Sequence, residues 1–264
     1  MTDAPLFAAL SADVRAVVPR LAAARSVVAF TGAGVSKESG LDTFRDLGGI
    51  WQQVRPEDLA TPQAFRKDPA RVWRWYAERY RRASAVAPNP AHLALARWER
   101  LFPSFSLVTQ NVDGLHRRAG SSSPLELHGT LAWARCDACG RRRPMGEALA
   151  ASPEAPPRCP CGGLERPAVV WFGEALPGEV LERATEAAAW CDVLVSVGTS
   201  GTVYPAAGLI ELALQNGACF VEVNPEPTPF SRFAALRLAA PAGEALPWLT
   251  EQIVQEIERC RPST

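Results

Sequence analysis

Ser26-Val-Val-Ala-Phe-Thr-Gly-Ala-Gly34 is an apolar, β-branched run that stops abruptly at small residues. Three later stretches repeat its grammar: Phe105-Ser-Leu-Val-Thr-Gln-Asn111, Asp192-Val-Leu-Val-Ser-Val-Gly-Thr-Ser200 and Cys219-Phe-Val-Glu-Val-Asn224. Short, nearly continuous apolar runs suit strands buried on both faces, as in a parallel sheet covered by helices. All four place their polar and glycine residues at the carboxyl end, where open α/β sheets bind ligands.

Helical stretches fall between these runs. Residues 8 to 25 carry Leu10, Val14, Val17, Val18 and Leu21 at helical spacing, and 178 to 190 is rich in Glu and Ala. Residues 205 to 216 read as a helix entered at Pro205 and left at Asn216-Gly217, and the tail after Pro247 reads as helical to Cys260. The alternation favours an α/β fold with a doubly wound, Rossmann-like parallel sheet, and the passages that interrupt it are expected to form a smaller inserted domain, helical in part and, from its cysteines, zinc-binding. Two passages break the alternation: the aromatic, arginine-rich residues 37 to 104 and the cysteine-bearing residues 131 to 167.

The chain has 264 residues, 47% hydrophobic and 21% charged, which predicts a folded body of one or two domains. Its 28 basic and 28 acidic residues balance, which argues against non-specific nucleic-acid binding. No apolar run approaches the roughly 20 residues that cross a bilayer, and no secretory leader pattern opens the sequence. A soluble cytoplasmic protein without membrane contact is therefore expected.

Of the seven cysteines, Cys136, Cys139, Cys159 and Cys161 crowd together while Cys191, Cys219 and Cys260 lie apart. Four thiols from two local clusters are what a tetrahedral structural zinc site requires, although the second pair is a tighter Cys-x-Cys. The alternative is four buried or redox thiols. A metal held by four thiolates has no open position, so the predicted zinc holds the fold and takes no part in turnover.

Thr31-Gly-Ala-Gly-Val-Ser36 follows a predicted strand, and glycines there would let a pyrophosphate approach the backbone. As a dinucleotide fingerprint it is incomplete, with Lys37 where a third glycine would fall; a tight strand-to-helix turn is the plain alternative. Gly198-Thr-Ser200 and Asn224 end other strands similarly, and the three ends together favour a dinucleotide. Histidine occurs only at 92, 116 and 128. His128, in Leu125-Glu-Leu-His-Gly129 just before the cysteine passage, is a candidate general base, weighed against an ordinary hydrogen-bonded packing histidine.

In combination these residues resemble the sirtuins, the NAD-dependent protein lysine deacylases, in order from about residue 25 to residue 250. Gly32-Ala-Gly-Val-Ser-Lys-Glu-Ser-Gly40 with Thr43-Phe-Arg45 resembles the family's cofactor loop, and Thr109-Gln-Asn-Val-Asp-Gly-Leu-His116 its ribose and nicotinamide segment. His128-Gly129 resembles the catalytic base, and Arg166-Pro-Ala-Val-Val-Trp-Phe-Gly-Glu174 the strand that pairs with substrate peptide. Val197-Gly-Thr-Ser200 and Val223-Asn224 resemble the adenosine-side contacts, with Ala242 as a further one.

The resemblance implies NAD and one structural Zn²⁺ as cofactors, and acylated-lysine proteins as partners of a monomer. It implies cofactor contacts at Gly32, Ala33, Gly34, Ser36, Phe44, Arg45, Gln110, Asn111, Asp113, Gly198, Thr199, Ser200 and Asn224. Substrate contacts are implied at Val169, Val170, Trp171 and Phe172. It also implies a division into an NAD-binding domain (residues 1–36, 105–130 and 168–264), a cofactor loop and helical module (37–104) and a zinc module (131–167). In the reaction the resemblance implies, nicotinamide departs, the acyl oxygen attacks the ribose, and His128 deprotonates a ribose hydroxyl, giving free lysine and O-acyl-ADP-ribose.

Tyr76 and Arg79, with Ala60 as a small neighbour, resemble the Tyr-x-x-Arg pair of the branch that removes succinyl and malonyl groups. Positions three apart share a helix face, and Arg binds a carboxylate through paired hydrogen bonds. The plain alternative places Tyr76 in a packing stripe with Trp73 and Tyr80. Asp42, Asp46 and Ala168 depart from the family pattern, and a carboxylate at 42 or 46 would repel a nearby pyrophosphate. Competing readings are a general deacetylase, a protein mono-ADP-ribosyltransferase, and a non-enzymatic NAD-binding scaffold.

Overall fold

A computed structural model describes residues 11–43 and 55–260. The expected cofactor-loop residues Phe44 and Arg45, and the departure at Asp46, lie outside the described residues. The four apolar runs become β1 (Ser26–Thr31), β2 (Ser104–Thr109), β7 (Val193–Val197) and β8 (Cys219–Val223), flanked by the short strands β3 (Leu125–Glu126) and β9 (Leu236–Leu238). They form one parallel sheet in the order β3-β2-β1-β7-β8-β9. Thr31 pairs with Thr109 on one side and Val197 on the other, and Val197 with Val223, so four strands end level.

Side chains alternate between faces along a strand, and here both faces are covered. Val27 and Ala29 of β1 face helices α1 (Ser11–Ala23), α4 (Pro90–Leu101) and α9 (Ala242–Arg259), packing among Leu21, Trp98 and Leu249. Val28 and Phe30 face α7 (Gly178–Trp190) and α8 (Gly208–Gln215), packing among Ala184, Leu209 and Ile210. The layers expected from the sequence are thus present.

Between β1 and β2 run α2 (Pro62–Lys67) and α3 (Pro69–Ala85) as well as α4. Asp68 caps α3 by accepting from Arg71 N at 2.9 Å, and Asn89 caps α4 by accepting from Ala91 N at 3.0 Å. A short α5 (Leu115–Arg118) follows β2. Residues 129–169 carry a second, antiparallel sheet of β4 (Gly129–Cys136), β5 (Arg142–Pro144) and β6 (Glu165–Val169), in the order β5-β4-β6, with α6 (Met145–Ala151) beside it. Helix α3 joins this sheet through Trp73 and Ala77, which pack on Ala134 and Met145.

Two helix boundaries differ from the sequence reading. Helix α9 starts at Ala242, and Pro247 lies inside it. Glu38 accepts from Gly243 N at 2.6 Å, and Ala245 and Leu246 are fully buried. A capped first turn with an apolar face therefore outweighs the bond a proline removes. Helix α8 starts at Gly208, three residues after Pro205, whose peptide bond with Tyr204 is cis.

Candidate active site

The level ends of β1, β2, β7 and β8 open onto a cavity of about 1080 Å³ between the two sheets. Gly32, Ala33 and Gly34 line it after β1, and Gln110 and Asn111 after β2. Gly198, Thr199 and Ser200 follow β7, Asn224 follows β8, and Ala242 opens α9. Ala60, Tyr76, Arg79, Val169, Val170, Trp171 and Phe172 form the opposite side. His128 lies on the wall where the first sheet gives way to the second.

The glycines also serve a purpose beyond the one expected. Gly34 N donates to Gly198 O at 2.8 Å, and Gly32 N to Val197 O at 3.0 Å, so these amides join two strand-end loops to each other. Gly198 has φ +57, and a Cβ on it would lie 2.4 Å from Val35 N. The close approach that demands glycine is loop on loop.

Ser36 and Asp113 are not on the wall but behind it. Ser36 Oγ donates to Asp113 Oδ2 at 2.8 Å and accepts from Asn111 Nδ2 at 3.2 Å, while Leu115 N donates to Asp113 Oδ1 at 2.9 Å. Asn111 Nδ2 also reaches Gly32 O at 3.1 Å, and Gln110 Nε2 donates to Thr199 Oγ1 at 2.9 Å. Burial pushes the Asp113 carboxyl above its ordinary pKa, against two hydrogen bonds and the field of Arg79. Asp42 is not on the wall either; its carboxylate faces Arg82 at 3.5 Å on the surface. Ala168 is buried within β6.

Leu127 N bonds Thr109 O at 2.9 Å, which carries the chain from β3 to His128. Gly129 then turns it into β4 with φ +72, where a Cβ would lie 2.2 Å from Ala168 O. His128 Nδ1 lies 2.9 Å from Gln110 O. A carbonyl only accepts, so Nδ1 carries the proton and neutral His128 keeps a lone pair on Nε2. Burial pushes its pKa below the ordinary histidine value, and the Gln110 bond offsets part of that.

His92 and His116 are packing residues, with rings 4.8 Å apart beneath the cofactor loop. Desolvation lowers their pKa values to about 4 and about 3.

On the opposite wall Tyr76 packs in the interior and also borders the cavity, while Trp73 belongs to a separate cluster. Tyr76 is 5% exposed in a cluster with Leu59, Ala60, Phe65 and Trp171, and it faces the cavity beside Arg79. Burial pushes its hydroxyl pKa up to about 12, so it stays protonated. Arg79 is half-buried, its guanidinium 4.9 Å from the Trp75 ring centroid.

The segment expected to pair with a peptide is strand only to Val169, where β6 forms one edge of its sheet. Val170 N donates to His128 O at 2.8 Å, Trp171 N to Glu174 Oε2 at 2.8 Å and Phe172 N to Ala60 O at 2.9 Å. These three amides are engaged within the chain.

At the far end of β4, the thiols of Cys136, Cys139, Cys159 and Cys161 all lie within 4.8 Å of one another. Cys136 and Cys161 Sγ are 3.5 Å apart, and Cys139 and Cys159 Sγ 3.7 Å. Tetrahedral zinc with Zn–S bonds near 2.3 Å sets its sulfurs about 3.8 Å apart, so the donor set fits the metal despite the Cys-x-Cys spacing. A Cβ on Gly163 would lie 2.8 Å from Cys136 Sγ, so that glycine lets the second pair close in. Gly129 stands opposite Val169 and Cys136 opposite Glu165, so about four strand residues, roughly 13 Å, separate the thiols from the turn after His128, and a metal held by all four thiols has no open position for substrate.

Sequence reading missed the loop after Asn224. Asn224-Pro-Glu-Pro-Thr-Pro229 lines the cavity, and the buried Glu222 anchors it by accepting from the hydroxyls of Thr228 and Ser231. Its alternating prolines were the available signal for a stiff wall. Lys37, Glu38 and Tyr204 also line the cavity without having been singled out.

A Rossmann-like parallel sheet with a ligand cavity at its strand ends and a four-thiol module beside it defines a dinucleotide-binding α/β protein. Residues 32–205 match the Sir2 family. The NAD-dependent protein deacylase of Thermus thermophilus is 52% identical over 232 residues, 86% of this chain and 90% of that protein. NAD-dependent protein deacylase 1 of Pseudomonas aeruginosa is 52% identical over 243 residues, 89% of this chain and 97% of that protein. Among solved structures, a Sir2 homolog–NAD complex superposes with a TM-score of 0.86 at 44% identity, covering 92% of this chain and 94% of that one. The chain belongs to the Sir2 family.

Proposed function

We propose that this protein removes acyl groups from protein lysines with consumption of NAD, giving nicotinamide and O-acyl-ADP-ribose. The observation that carries the reading is His128 itself: neutral, its tautomer set by Gln110 O, with Nε2 available on the cavity wall. NAD, when bound, supplies an electrophilic ribose carbon to the acyl oxygen as nicotinamide leaves. The strand-end loops hold the dinucleotide, with Gly198, Thr199, Ser200, Asn224 and Ala242 on the adenosine side and Asn111 near the nicotinamide. Ser36 and Asp113 act one layer back by orienting Asn111. His128 takes the proton from a ribose hydroxyl, which lets that oxygen attack the acyl carbon; the carbon–nitrogen bond to lysine then breaks, the amine leaving protonated, and one water adds to complete the O-acyl-ADP-ribose.

The substrate is an acylated lysine in an extended peptide added along the β6 edge at Val169 and Val170. Its acyl group enters the side of the cavity lined by Ala60, Tyr76 and Arg79. A guanidinium and a hydroxyl that stays protonated suit a carboxylate, so succinyl and malonyl groups are preferred over acetyl. The test is mass spectrometry of matched acetyl-lysine and succinyl-lysine peptides incubated with NAD, following O-acyl-ADP-ribose. Faster succinyl removal supports the reading, and absence of product from both peptides refutes it.

We further read the protein as a cytoplasmic monomer without nucleic-acid or membrane contact, divided into the NAD-binding, helical and zinc modules given above. Among the described residues no helix is long and apolar enough to cross a membrane. Native mass spectrometry tests the monomer.

A further inference from the structure

Tyr76 and Trp171 lie 95 residues apart, yet the indole N–H of Trp171 donates to the Tyr76 hydroxyl oxygen at 3.0 Å. An indole nitrogen can only donate. The tyrosine therefore accepts there, and its own O–H must point elsewhere. Among the described residues no other hydrogen bond involves that hydroxyl, and Tyr76 lines the cavity with Arg79 one turn along the same helix.

Trp171 is itself held from three directions. Its backbone N–H donates to Glu174 Oε2 at 2.8 Å, its ring stacks on the Arg166 guanidinium with Cζ 3.1 Å from the centroid, and Phe65 lies 5.3 Å from it. Arg166 is 1% exposed and is not on the cavity wall. It grips Glu174 through both terminal nitrogens, at 2.6 and 2.9 Å, and reaches Val169 O at 3.0 Å. A buried guanidinium demands such pairing, and the pairing fixes the 169–174 turn that carries the indole.

We propose that Trp171 sets the polarity of the acyl pocket: by donating to Tyr76 it makes the tyrosine hydroxyl an obligate donor toward the acyl terminus, and the Arg166–Glu174 pair holds it in that pose. An acidic acyl carboxylate meets two donors already oriented. An acetyl group has no atom for them, and a partner that needs a donor is refused. Trp171, Arg166 and Glu174 are positioning residues for selectivity. The inference rests on the reading of Tyr76 and Arg79 as the acyl pocket.

The experiment compares kcat/KM on succinyl-lysine and acetyl-lysine peptides for wild type, W171F, Y76F, the double variant W171F/Y76F, E174Q and R79M. Phenylalanine at 171 keeps one aromatic ring for Arg166 and Phe65 and removes the N–H donor together with part of the indole's volume, a packing loss that the Y76F comparison separates from loss of the hydrogen bond. The succinyl-to-acetyl ratio is expected to fall about tenfold in W171F, mainly through KM for the succinyl peptide, the size of one lost hydrogen bond to a charged group. Y76F should lower the ratio similarly and the double variant no further, since the indole acts through the hydroxyl. E174Q loosens the same turn without touching the indole and should move the ratio in the same direction, which keeps the test alive if W171F does not fold. An unchanged ratio in W171F, or in E174Q where W171F does not fold, overturns the inference, as do losses that multiply in the double variant. If R79M also leaves the ratio unchanged, the pocket reading fails; if R79M collapses it and W171F does not, only the role of Trp171 fails.

Discussion

His128 Nδ1 lies 2.9 Å from the carbonyl oxygen of Gln110, the residue that follows β2. The main sheet thereby sets the protonation of a side chain at the joint with the small sheet. His128→Ala removes the base and keeps the backbone turn at Gly129. Turnover should fall at least about a hundredfold, the contribution of a positioned general base, with little change in thermal stability. Steady-state kinetics and a melt check this; an active H128A protein would contradict the assignment.

The pH profile of kcat/KM follows from the same geometry. The reactive form is neutral, and burial lowers the His128 pKa, so the rate should fall only as pH drops below about 6.5, the ordinary histidine value. An acid limb with its midpoint above that value would contradict the burial argument.

Arg79→Met keeps the length and packing of the side chain and removes the guanidinium. The succinyl-to-acetyl ratio of kcat/KM should fall by about tenfold or more, as expected for a lost charge-assisted pair. The measurement is a competition between the two peptides, read by mass spectrometry.

Stability should weaken on mild acidification. His92 and His116 have folded pKa values of about 4 and about 3, against an unfolded value near 6.5. Between pH 6.5 and 4 the unfolded chain binds the extra protons, so stability is full above that window and declines as pH falls through it. Each histidine contributes a slope of up to about 1.4 kcal/mol per pH unit. Urea unfolding at pH 7 and pH 5, above most carboxylate titration, measures it, and H116Q should reduce the slope.

Zinc removal should unfold the small sheet and leave chemistry affected only through folding. A strong chelator should lower Tm by about 10 °C or more, since metal binding at such a site is folding free energy. Zinc addition should restore it. A melt insensitive to complete chelation would mean four unmetallated thiols.

The main sheet was legible because strands buried on both faces are almost entirely apolar, as Val27 to Phe30 are and as Val193 to Val197 are apart from the buried Ser196. Their shared polar ends marked the cavity before any coordinates. Strands β3 and β9, of two and three residues, carry too little pattern to detect. Strand β6 is legible through the family resemblance but not from its own pattern, because an arginine in a strand reads as surface and here Arg166 is buried beneath Trp171. The contact of Trp171 with Tyr76 spans 95 residues, and no local spacing announces it. Proline signals place two helix starts late or early, at Pro247 and Pro205; at Pro247 a capped and buried first turn outweighs the signal, and α8 begins only at Gly208. The four cysteines form the one cluster that their spacing predicts, since thiol grouping needs no fold to be seen.

The most direct test of the account is the rate of O-acyl-ADP-ribose formation from succinyl-lysine and acetyl-lysine peptides with NAD, wild type beside H128A. The account predicts product from both peptides, faster from the succinylated one, and almost none from H128A. Equal product from H128A and wild type, or nicotinamide release that no acylated peptide stimulates, would contradict it.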